Sequence, residues 1–173
     1  MTSGRRIGHR AANPTNGGRA ITDAPINTKS GSSGFLLDTN VISELMKPRP
    51  ARSVAAWIVA TPEDLMHLSV ITIGEIRKGI DLLDDDEPKR GALQSWLDHD
   101  LRIRFAGRLL PFDEWVAERW GQIEALAKRQ RVTLPTIDAQ LAATALQHGL
   151  TFVTRNTSDF RLTGVPLFNP WSG

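Results

Sequence analysis

Phe35-Leu36-Leu37-Asp38-Thr39-Asn40-Val41-Ile42-Ser43-Glu44 is the stretch on which the fold turns. Phe35–Leu37 reads as a short buried strand, and apolar residues resume at helical spacing over Val41–Met46. Between them stand an aspartate and an asparagine two positions apart. A comparable passage from apolar run to acid occurs in Ile71-Thr72-Ile73-Gly74-Glu75, in Pro135-Thr136-Ile137-Asp138 and in Val153-Thr154-Arg155-Asn156-Thr157-Ser158-Asp159.

Outward from that stretch, strand and helix patterns alternate. Ser53–Ala60 reads as a helix, split from the one before it by Lys47-Pro48-Arg49-Pro50, which no helix tolerates. Met66–Ser69 is a second strand and Thr72–Leu83 a helix opening on a capping box, Thr72 with Glu75. Pro88–Leu97 is predicted helical, with room to run further, and Arg108–Phe112 carries a third strand. Asp113–Arg131 holds Val116, Trp120, Ile123 and Ala127 at the period of a long helix. Pro135–His148 is another, closed by Gly149. Thr151–Thr154 and Pro166–Phe168 complete five short strands. This alternation predicts an α/β fold, a central parallel sheet flanked by helices.

The domain organisation follows from composition. Residues 1–34 are rich in Gly, Ser, Asn and Thr, lack apolar periodicity and carry five basic residues against one acid. They read as a disordered basic tail or linker, either a real arm or an over-extended start, and 35–173 as the folded domain. The domain itself holds 16 basic and 18 acidic residues, so the high pI belongs to the tail and argues nothing about nucleic acid. There is no cysteine, which removes disulfides, thiolate metal sites and thiol nucleophiles. No apolar run approaches the ~20 residues that span a bilayer. A soluble, cytoplasmic protein is the expectation.

Each acid has a plain structural explanation. Asp38 suits the N-cap of the following helix, and Glu75 completes a capping box. Asp138 lies in a first helical turn, where a carboxylate meets the positive end of the helix dipole. Asp159 fits local turn chemistry. The set argues otherwise, because strand C-termini of a parallel sheet converge on one edge, where such folds bind ligands. At ~5 Å and an effective dielectric near ~20, each ionised pair costs roughly 3 kcal/mol. A hard divalent cation with oxygen ligands, Mg²⁺ or Mn²⁺, offsets that repulsion. Such a site predicts metal-assisted phosphoryl chemistry.

Other chemistries lack their signatures. There is no Gly-rich phosphate loop and no Gly-x-Ser-x-Gly elbow. His9, His67, His99 and His148 have no metal-ligand spacing. Asp84-Asp85-Asp86-Glu87 reads as a solvated loop. A phosphatase that uses a nucleophilic aspartate needs a second one two positions on, where this chain has Asn40. Arg49, Arg52, Arg77, Lys78 and Arg155 are near the acids in sequence and are candidates for flanking phosphates. No aromatic ladder for base stacking is visible.

The stretches Leu37–Glu44 and Ser69–Gly79, with Phe105–Asp113, Ile137–Ala145, Val153–Asn156 and Phe168–Trp171, resemble the motifs of PIN-domain nucleases, and within them the VapC/FitB-type toxins. The resemblance runs from about Ser33 to Trp171 and leaves the tail outside it. It implies a PIN fold and a Mg²⁺- or Mn²⁺-dependent endoribonuclease, the toxin of a type II toxin–antitoxin system. Its implied partners are an RNA substrate, a cognate antitoxin of the VapB/FitA kind and a second copy of the toxin. Asp38, Glu75, Asp138 and Asp159 fall on the acidic quartet that would be catalytic and hold the metal. Asn40, Thr154 and Asn156 fall on its supporting polar positions. All four acids are present in order, so an inactivated copy is not indicated. The competing expectation is a non-catalytic, partner-binding PIN-like module.

Overall fold

The computed structural model describes residues 34–172; the reading of the basic tail lies outside them, apart from Gly34. Five short parallel strands form one sheet in the order β3-β2-β1-β4-β5. They are β1 (Phe35–Leu37), β2 (Met66–Ser69), β3 (Leu109–Leu110), β4 (Thr151–Val153) and β5 (Leu167–Phe168). The fold class expected from the alternation of apolar runs is the one observed.

Helices cover both faces because β1, at the centre, is apolar at every position. Leu36 faces one core with Phe152, Phe160, Val116 and Leu141. Leu37 faces the other with Val41, Val54, Leu68 and Leu97. Adjacent residues of a strand point to opposite faces, so this three-residue run seeds both cores. The first core lies under α6 (Glu114–Gln130) and α7 (Thr136–Gln147). Ala139, Ala142, Ala143 and Ala145 are wholly buried there, and their small side chains let α7 approach closely. The second core lies under α1 (Thr39–Leu45), α2 (Arg52–Ala60), α3 (Val70–Asp81) and α4 (Pro88–Ser95). Trp57 of α2 packs edge-on against Phe35 and beside Phe168, a core role for that tryptophan.

Three boundaries differ from expectation. The helix α3 begins at Val70, two residues early, because Ser69 is its N-cap and accepts the Ile71 N–H. Beyond α4 the chain continues as a π-helical turn, Trp96–Leu101, into α5 (Arg102–Arg104), carrying helical structure past Leu97. The third strand shrinks to Leu109–Leu110 because β3 is an edge strand with β2 as its one neighbour.

Gly34 lies directly before β1, and its carbonyl accepts the Thr151 N–H. A Cβ at this position would stand 2.7 Å from the Leu65 carbonyl oxygen, so the entry to β1 requires glycine. From β1 the chain crosses first to β2 and β3 on one side, then returns to β4 on the other. A crevice therefore opens beyond the C-terminal ends of β1 and β4, where ligands bind in open α/β sheets.

Candidate active site

Asp38 directly follows β1 and caps α1, so its structural explanation holds. It is 9% exposed and held by its neighbours. Thr154, the residue after β4, donates its hydroxyl to Asp38 Oδ2 at 2.6 Å. Asn40 Nδ2 donates to the same oxygen at 2.6 Å and to Thr154 Oγ1 at 3.1 Å. The Asn156 N–H also reaches Thr154 Oγ1, at 3.1 Å. The Thr154 hydroxyl thus makes one donation and two acceptances, its full capacity. Asn40, Thr154 and Asn156 are the frame that orients Asp38.

The capping-box explanation of Glu75 fails. Ser69 caps α3, and Glu75 lies inside the helix, where its Oε2 accepts the Thr39 hydroxyl at 2.6 Å. One residue beyond Asp38 therefore fixes the second acid. Asp138 sits in the first turn of α7. Together with Asp38 and Glu75 it lines a cleft of about 410 Å³ whose walls include Thr39, Asn40 and Asn156. Asp159 is not among those walls. It is exposed on the turn after β4 and accepts from the Ser158 hydroxyl at 3.0 Å.

Electrostatics join what geometry leaves apart. Burial raises the Asp138 pKa, and the charges of Asp38, Asp159 and Glu75 raise it further, to about 6. Asp38 is also raised, by burial first and then by Glu75, against the lowering effect of hydrogen bonds from Thr154, Asn40 and Thr39. The charges of the other three sequence-predicted acids thus converge on Asp138, Asp159 among them although it does not line the cleft. Among the described residues, no three His, Asp or Glu side chains are close enough to grip a metal ion by themselves. The donor set is all oxygen, and Asn40 Oδ1 is buried without a hydrogen-bond partner.

Several wall residues escaped the sequence reading. Thr39 gave no signal beyond its place after Asp38. Glu44 is buried and accepts from Lys47 Nζ at 2.6 Å and the Ala51 N–H at 2.9 Å. Those bonds lower its pKa, the Lys47 one foremost, with a smaller contribution from Trp171. Glu44 is thus a carboxylate already neutralised by its neighbours. Of the five expected phosphate-binding cations, Arg155 reaches the cleft and Arg77 is tied to Asp98. Lys47 lines the cleft unforeseen.

Residues 35–165 match the PIN domain family. The chain belongs to that family. It is 43% identical over 137 residues to Toxin FitB of Neisseria gonorrhoeae, covering 79% of this chain and 98% of FitB. It is 39% identical to VapC ribonuclease Y4jK of Sinorhizobium fredii, covering 79% and 97% of the two chains. Its fold superposes on a crystal structure of FitAcB from Neisseria gonorrhoeae with a TM-score of 0.74 at 43% identity, over 79% of this chain and 98% of that one. The PIN domain described above is thus of the VapC/FitB type.

Proposed function

We propose that this toxin is a Mg²⁺- or Mn²⁺-dependent endoribonuclease whose activity a cognate antitoxin holds in check. One observation carries the reading: Asp138 is pushed up to about 6 in a cleft it shares with Asp38 and Glu75. Burial is the larger cause of that rise and the charges of the neighbouring carboxylates the lesser, and a bound cation would offset both.

Mg²⁺ commonly takes one or two protein carboxylates, with water and substrate phosphates completing its shell. Open spacing of the acids is compatible with that habit, and the unpartnered Asn40 Oδ1 adds an oxygen donor beside them. Asp38, Glu75 and Asp138 would hold the ion, with Asp159 contributing charge from the edge. When bound, the cation supplies an activated water and stabilises charge on the phosphorane. The protein's own share is orientation and proton transfer. Thr154 and Asn40 keep Asp38 in one rotamer, and Thr39 does the same for Glu75. One of these carboxylates would accept the proton of the attacking water. Arg155 is the cleft cation available to a flanking phosphate, since Lys47 is paired with Glu44.

Incubation of the full chain with total RNA, with and without Mn²⁺, tests the reading beside an Asp38→Asn control. Metal-dependent fragments that the control does not make are expected. Intact RNA under all conditions, from folded protein, would favour the partner-binding module.

A further inference from the structure

Beside the acids, the cleft has an aromatic and cationic wall that neither the metal site nor proton transfer uses. Trp171 lines it, partly exposed, and the Arg155 guanidinium lies 5.8 Å from the centre of the indole ring. The indole packs against the second core, and the backbone that carries it is tied down. Its backbone N–H donates to Asn169 Oδ1 at 2.9 Å, and Asn169 Nδ2 donates to the Arg155 carbonyl at 3.2 Å. One amide side chain therefore fastens the segment after β5 to the segment after β4. Pro170 is buried between Asn169 and Trp171 and restricts the backbone there. The other aromatic of the cleft, Phe160, is buried beneath it.

This arrangement has the chemistry of a stacking platform. Every base presents a π-face, so a fixed indole binds unpaired bases with little regard to sequence. Arg155 is exposed, and a cation–π contact in water is weak, so the guanidinium can leave the ring for a neighbouring phosphate. A ring fixed in advance loses little entropy when a base settles on it. Duplex RNA cannot use the platform, because its bases are already stacked on one another.

We propose that Trp171 and Arg155 form a ledge that receives an unpaired RNA base next to the scissile phosphate. The inference rests on the nuclease reading and adds to it the residues that position the strand.

The test is binding of a labelled oligoadenylate and of an abasic strand of equal length, by fluorescence anisotropy in Mg²⁺, to the full chain carrying Asp38→Asn. The oligoadenylate should bind about 5- to 160-fold more tightly, the range of one stacked base. Adding Trp171→Leu should abolish that difference, and Trp171→Phe should keep most of it. In the cleavage-competent background, Trp171→Leu should raise KM and leave kcat nearly unchanged. Equal binding of the two strands would overturn the ledge, as would a base preference that survives Trp171→Leu. Should Trp171→Leu fail to fold, the abasic comparison and Trp171→Phe still decide. RNA cleavage without base preference removes the ledge alone, whereas base preference without any cleavage removes the nuclease reading and leaves the ledge.

Discussion

Thr39 and Glu75 are joined across 36 residues of sequence by a hydrogen bond of 2.6 Å, from hydroxyl to carboxylate. Thr39 begins α1, and Glu75 lies in the interior of α3, so the bond ties two helices at the floor of the cleft. It makes the position of one acid depend on the residue that follows another. Thr39→Val keeps the shape and removes the donor. Loss of such a supporting bond commonly costs about 10- to 100-fold in metal affinity or activity. Thr39→Ser should restore most of it, and Mn²⁺-dependent cleavage rates of the three proteins check this.

Asp138 gives the apo protein an unusual pH dependence. Its pKa is raised on folding from 3.8 to about 6, so between those values the folded state binds more protons than the unfolded one. Stability contributed by this group is present at the acid end of the window and is lost as the pH rises through it. Asp138→Asn should therefore flatten the fall in melting temperature between about pH 4 and pH 6 in EDTA. The difference between the two proteins isolates Asp138 from Glu44, whose lowered pKa acts in the opposite direction.

Mg²⁺ or Mn²⁺ should raise the melting temperature, since a ligand that binds only the folded state stabilises it by mass action. At a free concentration about 100 times Kd the gain is about 2.7 kcal/mol. Asp138→Asn should erase much of it while leaving apo stability equal or higher. A transition unmoved by millimolar metal in both proteins would count against a cation site.

Gly34→Ala should destabilise the domain without touching the cleft. The added methyl would meet the Leu65 carbonyl oxygen at 2.7 Å, and both partners of that clash are backbone-bound. Overpacking of this kind costs about 1–3 kcal/mol. Chemical denaturation reads it directly. A loss of cleavage without a loss of stability would be the contrary result.

The fold was legible in the sequence because its central strands are apolar runs bounded by polar residues. Phe35–Leu37 and Met66–Ser69 coincide with the observed strands. The edges were less legible. Two-residue strands such as Leu109–Leu110 are defined by hydrogen bonds to a neighbour, which no local pattern encodes. For α3 the sequence pattern points to Thr72 as the cap, whereas Ser69, which directly ends β2, caps the helix. The positions of Asp38 and Asp138 were legible because an acid after an apolar run falls at a strand end or an early helical turn, whereas Glu75 lies in the interior of α3, where its local pattern did not put it. Trp171 was not legible: its place in the cleft depends on β5 pairing with β4 and on a side-chain amide bridging their ends.

Asp38 and the Thr154 hydroxyl that orients it are separated by 116 residues, and they meet only when β4 docks beside β1. Asp38 and Glu75 leave the ribosome early, but the partners that make them a site are translated far later. A partly made chain therefore carries the acids without the machine. The cleft is completed only after β4 has been made and has paired with β1, long after Asp38 and Glu75 were added to the chain.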